Sequence, residues 1–119
     1  MGHPTIYPTG VTVYNPEKCW NGFTIFQALE VGAVLMNMNG RENKVWKGVH
    51  GFPNKIFPSG YLMTSRGSRD GRYGVQDGLD LVQIDWDGNV VWKFDRNEYI
   101  EDPGIPGRWM ARSHHDYQR

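Results

Sequence analysis

Residues 81–93 read Leu-Val-Gln-Ile-Asp-Trp-Asp-Gly-Asn-Val-Val-Trp-Lys, and residues 33–47 read Ala-Val-Leu-Met-Asn-Met-Asn-Gly-Arg-Glu-Asn-Lys-Val-Trp-Lys. Both stretches hold an apolar run, a turn that ends in glycine, and a second run with tryptophan before lysine. The interval from Gly40 to Gly88 is two positions longer than the interval from Trp46 to Trp92, which predicts a second turn two residues shorter. Such spacing is typical of β-propeller blades, whose repeats run to about 40–50 residues.

Each copy is predicted to form a strand, a tight turn and another strand. The pair Asp87-Gly88 is typical of a two-residue hairpin turn because both residue types tolerate positive φ. A second hairpin is predicted from residues 54–57 and 61–64 around the proline-led turn 58–60. Aromatic packing between blades is our interpretation of three tryptophans, Trp46, Trp86 and Trp92.

The predicted fold class is all-β: about two four-stranded blades and the first strand of a third, within a propeller completed by other polypeptide. The predicted boundaries are a lead-in at 1–22, a first blade at 23–50, a second blade at 51–95, a loop at 96–112 and the start of a third blade at 113–119. The predicted start of a third blade depends on a short alignment of residues 50–55 with residues 114–119. Residues 66–79 are also predicted to be a loop because they are polar and rich in glycine.

Composition narrows the classes of partner. Thirteen basic residues balance thirteen acidic ones, so no overall field attracts nucleic acid or an anionic membrane. The N-terminal stretch lacks a basic start, and no apolar run reaches the length of about 18 residues that a membrane span needs. This predicts a cytoplasmic protein, or a periplasmic or secreted one if a signal was removed. The single cysteine, Cys19, has no internal disulfide partner and is interpreted as a packing thiol.

The stretch with the strongest indication of a chemical role is residues 112–116, Arg-Ser-His-His-Asp. On a strand, His114 and Asp116 would share one face while His115 pointed to the other. Adjacent histidines are then poor ligands for one metal, and no metal is expected. A histidine on an inner propeller strand is suited to exchange a proton with a bound anion near neutral pH. Packing or turn hydrogen bonding is the alternative role.

Two other polar stretches carry weaker indications. Residues 85–89 resemble the start of a calcium loop, but an EF-hand needs glycine at position six and glutamate at position twelve, which favours a hairpin turn here. The glycine-rich segment 67–74, with Arg66, Arg69 and Arg72, offers donors for a phosphate or sulfate, although no Walker lysine follows it. A surface loop is the alternative, and Arg66 at the strand end is the arginine best placed to face a ligand.

Five segments suggest a family. They are residues 3–10 (His-Pro-Thr-Ile-Tyr-Pro-Thr-Gly), 20–26 (Trp-Asn-Gly-Phe-Thr-Ile-Phe), 51–55 (Gly-Phe-Pro-Asn-Lys), 80–89 (Asp-Leu-Val-Gln-Ile-Asp-Trp-Asp-Gly-Asn) and 108–118 (Arg-Trp-Met-Ala-Arg-Ser-His-His-Asp-Tyr-Gln). Together they resemble the N-terminal part of bacterial arylsulfotransferase-like proteins, over nearly the whole chain. The hairpin motif alone is shared with quinoprotein propellers, whereas its combination with the His-His-Asp stretch is more specific.

The resemblance implies a six-bladed propeller that moves a sulfuryl group from an aromatic sulfate to another phenol, with no nucleotide donor and no other cofactor. In that family a channel histidine is transiently sulfated, and further histidines and an arginine hold the sulfate oxygens. By position, His115 is similar to a supporting histidine, and the sulfated histidine is expected beyond residue 119. The candidate catalytic residues are His115 and His114, and the candidate substrate-binding residues are Arg66, Asn54 and Asp116.

A two-blade piece cannot close a ring, because propellers have about four to eight blades. We therefore expect the remaining blades to come from a second chain, from identical copies, or from the rest of a longer protein. The alternative function is a non-catalytic propeller segment that binds a ligand or partner, or a relative with different channel chemistry, since a fold does not fix a function.

Overall fold

The computed structural model describes residues 10–74 and 77–118, which form short antiparallel strands and one helical turn. Within these ranges the strands are β1 (Phe23–Ala28), β2 (Gly32–Asn37), β3 (Glu42–Lys47), β4 (Lys55–Ile56), β5 (Leu62–Thr64), β6 (Val82–Ile84), β7 (Val90–Lys93), β8 (Glu98–Asp102) and β9 (Ile105–Met110), and the helical turn is α1 (Gly71–Gly74). The all-β class is thereby confirmed. In the described ranges no helix has both the length and the apolar character needed to cross a membrane.

The strands form two sheets in chain order and one separate hairpin. The first sheet has the order β1-β2-β3, and the second has the order β4-β5-β6-β7. All neighbouring strands are antiparallel. The predicted groups of strands at 23–50 and 51–95 thus correspond to one three-stranded and one four-stranded sheet, and the predicted hairpin around 58–60 is confirmed.

Every paired residue of the hairpin β6–β7 has its equivalent in β2–β3 at the same distance along the chain, which is the interval from Gly40 to Gly88. In the first hairpin Leu35 pairs with Lys44, and in the second Gln83 pairs with Trp92. Each hairpin has a β-bulge directly after the pair named for it. The prediction of a shorter second turn was therefore wrong. Trp92 corresponds to Lys44, because the turn and the bulge determine the register rather than the tryptophans.

The two turns also have the same form, and it differs from the predicted two-residue turn. Asp85 N–H donates to the Asn89 carbonyl at 2.9 Å, and Asn37 N–H donates to the Arg41 carbonyl at 3.0 Å. Three residues thus lie between the closing pair, and the third is Gly40 or Gly88 with φ of 75° or 93°. A three-residue loop of this kind ends in a glycine in the left-handed region.

The main core lies between the two sheets. The buried residues of this cluster are Ala33, Leu35, Trp46, Val49, Leu62, Val82 and Ile84. Trp46, only 4% exposed, packs edge-to-face on Trp86 with ring centroids 5.3 Å apart, and its Nε1 donates to the Asp85 carbonyl at 3.2 Å. The first sheet is therefore joined to the turn of the second by packing and by a directional hydrogen bond.

Residues 96–112 were predicted to be a loop, and this prediction was wrong. They contain the hairpin β8–β9, in which Tyr99 pairs with Trp109. The proline and glycine residues suggested a loop, but Gly104 lies in the tight turn with φ of 77°. Pro106 lies in β9, whose only ladder within the described chain is with β8, and prolines are tolerated on such edge strands.

Candidate functional site

The end of the described chain is attached to the start of the second sheet. Lys55 forms an ion pair with Asp116 and donates from Nζ to the Tyr117 carbonyl at 2.6 Å. The Tyr117 hydroxyl donates to the Met63 carbonyl at 3.0 Å and also contacts the Pro53 carbonyl. Burial raises the pKa of the Tyr117 hydroxyl above its usual value, with the Asp116 charge as a smaller cause. Lys55 lowers the pKa of the Asp116 carboxyl.

Residues 114–116 form a tight turn instead of the predicted extended strand. His115 has φ of 58°, and Asp116 N–H donates to the His114 carbonyl at 2.7 Å, which closes a three-residue γ-turn. The expectation that the two histidines point to opposite faces was therefore wrong. Their ring centroids lie 3.9 Å apart with the planes at 82°. The turn thus joins two exposed imidazoles into one edge-to-face pair.

A short ladder with residues 78 and 79 sets the direction from which the chain enters this turn. Ala111 N–H donates to the Leu79 carbonyl at 2.9 Å, and Arg112 N–H donates to the Gly78 carbonyl at 3.1 Å. Gly78 N–H donates in turn to the Ser113 carbonyl at 2.8 Å. A Cβ at Gly78 would lie 2.5 Å from Ser113 Oγ, so the Ser113 side chain would have to move to accept a larger residue there.

Two groups missed by sequence reasoning border the histidine pair. The Phe52 ring meets His115 edge-to-face at 5.4 Å, and Asp77 Oδ1 lies 3.9 Å from His114 Nε2. Phe52 belongs to residues 51–55, one of the five segments that carry the family resemblance, so the resemblance could have indicated this residue. Asp77 lies in the glycine-rich region, where no local pattern marks it.

His114 also borders an open polar groove of about 530 Å³. The groove is lined by Asp77, Phe94, Arg96, Glu98, Ala111, Arg112 and His114. Arg112 donates to Glu98 at 3.0 Å, so one of its two arginines is paired with a carboxylate. The groove therefore offers both signs of charge beside the imidazole.

Asn54 lies close to this region but its side chain is engaged in the fold. It is 8% exposed, its Oδ1 accepts from Thr64 Oγ1 at 2.7 Å, and its Nδ2 donates to Gln27 Oε1 at 2.9 Å. Gln27 also accepts from Gly51 N–H at 3.2 Å. Asn54 thus links the first sheet to the loop that carries Phe52, instead of presenting its amide to solvent.

Arg66 borders a different groove from His114. Its Nε and its backbone N–H both donate to the Asp80 carboxylate at 2.8 Å. Its neighbours in that groove include Lys44, Trp46 and Asp87, and among the described residues the two grooves share no lining residue. The structure thus brings His114, His115 and Asp116 together, and it leaves Arg66 in an ion pair elsewhere.

The other two arginines of the glycine-rich segment are also paired with carboxylates. Arg69 donates to both oxygens of Asp102 and, from NH1, to Asp77 Oδ2 at 3.1 Å. Arg72 donates from Nε to Asp70 at 3.0 Å. These contacts raise the pKa of the Arg69 guanidinium and lower the pKa of the Asp102 carboxyl. Instead of cradling an anion, Arg69 attaches the segment to the turn end of the hairpin β8–β9.

The turn interpretation of residues 85–89 is confirmed. The Asp85 carboxylate accepts from the backbone N–H groups of Asp87 and Asn89, at 2.9 and 2.8 Å, and from the Asn89 amide at 2.9 Å. Across residues 10–74 and 77–118, no group of three or more histidine, cysteine or acidic side chains is arranged to hold a metal ion.

A third groove, of about 730 Å³ and apolar, opens between the two sheets. It is lined mainly by Trp20, Phe23, Leu35, Ile56, Phe57 and Trp86. The interpretation of the tryptophans as packing residues holds for Trp46, which is buried, and for Trp86, which packs on it although 45% of it is exposed. Trp92 is partly buried. Comparison with family models, with curated proteins and with solved structures finds no match to this chain.

Proposed function

We propose that this chain is part of a larger β-propeller of the arylsulfotransferase-like type, and that its two sheets are neighbouring blades. Hairpins with the same turn and bulge recur at a constant interval, and successive sheets bury a common core. Repeat proteins are built in this way, from units that each contact the next.

Large exposed apolar side chains support completion by other polypeptide. Phe23 is 64% exposed at the start of β1, and Trp109 is 66% exposed on β9 beside Tyr99. Terminal repeats present the surface that further repeats would cover. A second chain, two further copies of this chain, or the remainder of a longer protein would supply those blades.

The single observation that carries the chemical proposal is the imidazole pair at residues 114 and 115. It is exposed, the left-handed backbone of His115 brings it together, and it is attached to the second sheet by Tyr117. Non-glycine residues in this region of φ cluster at functional sites. In the proposed reaction, a histidine outside the chain attacks sulfur, and the bond from sulfur to the donor phenolate breaks. The oxygen of an acceptor phenol then attacks the same sulfur, the sulfur–histidine bond breaks, and the phenol proton passes to an imidazole of the site. His114 and His115 donate hydrogen bonds to the sulfate oxygens and assist proton transfer.

Native mass measurement and a sulfuryl exchange assay test this function. The isolated protein should be an assembly or a longer chain, and with an aryl sulfate and a phenol acceptor it should exchange the sulfuryl group. We expect His115→Ala and His114→Ala to reduce exchange by about 10²-fold or more, the usual size of acid–base assistance. His50→Ala is the matched control, since within the described chain no ring contact joins it to the pair. A well-folded 13.7 kDa monomer, or no exchange by the complete assembly, would contradict the proposal.

A non-catalytic binding role is the second candidate, and a specific observation favours it. Three of the cations near the site are already paired with carboxylates: Lys55 with Asp116, Arg112 with Glu98, and Arg69 with Asp77 and Asp102. Paired cations attract an added anion less than free ones. Binding of an aryl sulfate to the assembly without turnover, abolished by His115→Ala, would favour this candidate over transfer.

A further inference from the structure

The carboxylate of Asp77 lies between an arginine and the histidine pair. Its Oδ2 accepts from Arg69 NH1 at 3.1 Å, and its Oδ1 lies 3.9 Å from His114 Nε2. The side chain is 17% exposed, whereas that of His114 is 42% exposed. Oδ2 is thus bound by Arg69, and Oδ1 faces the imidazole of His114.

Two sets of contacts determine where this carboxylate lies. Arg69 is held on its other side by a two-pronged interaction with Asp102, the kind of bidentate pair that has strong geometric preferences. On the backbone, Gly78 directly follows Asp77 and exchanges hydrogen bonds with Arg112 and Ser113. Asp77 and His114 are therefore placed beside each other by the fold on both strands of that ladder.

The backbone around His114 is also fixed. Arg112 and His115 have φ of 52° and 58°, so left-handed residues lie on both sides of Ser113 and His114. Such conformations persist where surrounding contacts impose them. Here the contacts are the Gly78 ladder before the turn and the anchoring of Tyr117 after it.

We propose that Asp77 is a positioning residue for His114. A carboxylate beside one ring nitrogen orients an imidazole, favours a proton on that nitrogen and leaves the other nitrogen to accept one. Asp77 would act on Nε2 of His114, with Arg69 and Asp102 holding the carboxylate. The other charged or titratable groups beside His114 are His115 and, across the polar groove, Arg96, Glu98 and Arg112. The catalytic meaning of this arrangement rests on the proposed function, whereas the arrangement itself is testable without turnover.

The test is the reactivity of each histidine toward diethylpyrocarbonate, followed residue by residue by mass spectrometry in the isolated assembly. Asp77→Asn keeps the size of the side chain but removes its negative charge beside Nε2 of His114. His114 should then react faster, by up to about fivefold, the factor that a unit charge at about 4 Å in water represents. Asp70→Asn is the matched control, because Asp70 lies in the same segment and pairs with Arg72. It should leave the rate at His114 unchanged.

His50 is the internal measure of folding, since it lies in the loop between the two sheets and its backbone N–H donates to the Ser65 carbonyl directly after β5. An unchanged rate at His114 in Asp77→Asn would overturn the positioning role. An equal rise at His50 would overturn it too, because the effect would then be general loosening. Arg69→Lys is a second variant, expected to raise the rate at His114 by a smaller factor than Asp77→Asn.

Sulfuryl exchange measured on the same samples separates this inference from the proposed function. If the wild type exchanges sulfuryl groups, Asp77→Asn should lower kcat and leave KM nearly unchanged. If no exchange occurs but His114 still responds to Asp77, the proposed function fails and the positioning contact stands. If His114→Ala abolishes exchange but Asp77→Asn leaves the modification rate of His114 unchanged, only the positioning role fails.

Discussion

The hairpins β2–β3 and β6–β7 have the same backbone but different surroundings. Trp46 of the first hairpin and Phe94, directly after the second, occupy equivalent positions. Trp46 is buried against the turn of the second sheet. One repeat later, Phe94 is only partly buried and borders the polar groove that contains His114 and Arg112. The same site on the repeat is thus closed by a neighbouring sheet in one case and open in the other.

This difference shows what determines the hairpin and what depends on a neighbour. The turn is made by an Asn or Asp whose side chain accepts two backbone N–H groups, followed by a glycine in the left-handed region. Both copies have these parts, so both adopt the turn. Burial of the aromatic residue requires a sheet beside it, and only the first copy has one within the described chain.

The largest expected effect is at the buried aromatic position. Trp46→Ala should lower the free energy of unfolding by about 3–5 kcal/mol, because it removes a large buried side chain from the core. Phe94→Ala should cost about 1–2 kcal/mol, since a partly exposed ring contributes less burial. Urea unfolding of the isolated assembly measures both. Equal losses would mean that the groove at Phe94 is closed in the assembly.

A smaller effect is expected at the two turn glycines. Gly40→Ala and Gly88→Ala should each cost about 1–2 kcal/mol, because alanine is strained in the left-handed region. Gly22→Ala is the matched control, since Gly22 is exposed and its backbone lies outside the left-handed region. Losses that differ by more than about twofold between the two turns, in the same urea titration, would break their equivalence.

The sequence identified the strands of both sheets because apolar runs rich in β-branched and aromatic residues flank turns with clear chemistry. It misjudged the register because tryptophans are conspicuous but do not set it. Side-chain acceptors at Asn37 and Asp85, and the glycines after them, do. A comparison based on these turn residues gives the constant spacing that the structure has.

The sequence singled out His114 and His115 as candidate residues, but it did not predict that their rings lie together. Alternation of faces holds only where a strand is extended, and no local feature marks His115 for a left-handed φ. That conformation comes with contacts distant in sequence, at Gly78 and Lys55. The hairpin at residues 98–110 was missed for a related reason: its prolines and glycines were counted as loop residues, whereas they occupy a turn and an edge strand.

The smallest expected effect is a difference in pH response between the two turns. In the second turn, the Asn89 side chain and backbone N–H groups lower the pKa of the Asp85 carboxyl. Since the ionised form is favoured in the fold, its stabilisation is complete above the unfolded pKa of about 4 and is lost as the pH falls through the lower folded value. The equivalent Asn37 does not titrate. Between about pH 4 and pH 2, the backbone amide signal of Asn89 should therefore shift, and that of Asn39 should not.

The variant Asp85→Asn sharpens this comparison, because it gives the second turn the same acceptor as the first. The amide oxygen of Asn still accepts from the two backbone N–H groups, so the turn should form and its response to acid should disappear. NMR spectra recorded over that pH range measure both turns in one sample. A response that persists in Asp85→Asn would place its origin at another carboxylate, and an equal response in the first turn would show that acid loosens the whole sheet pair. A response confined to the wild-type second turn means that one ionised oxygen acceptor accounts for the difference between two otherwise equivalent hairpins.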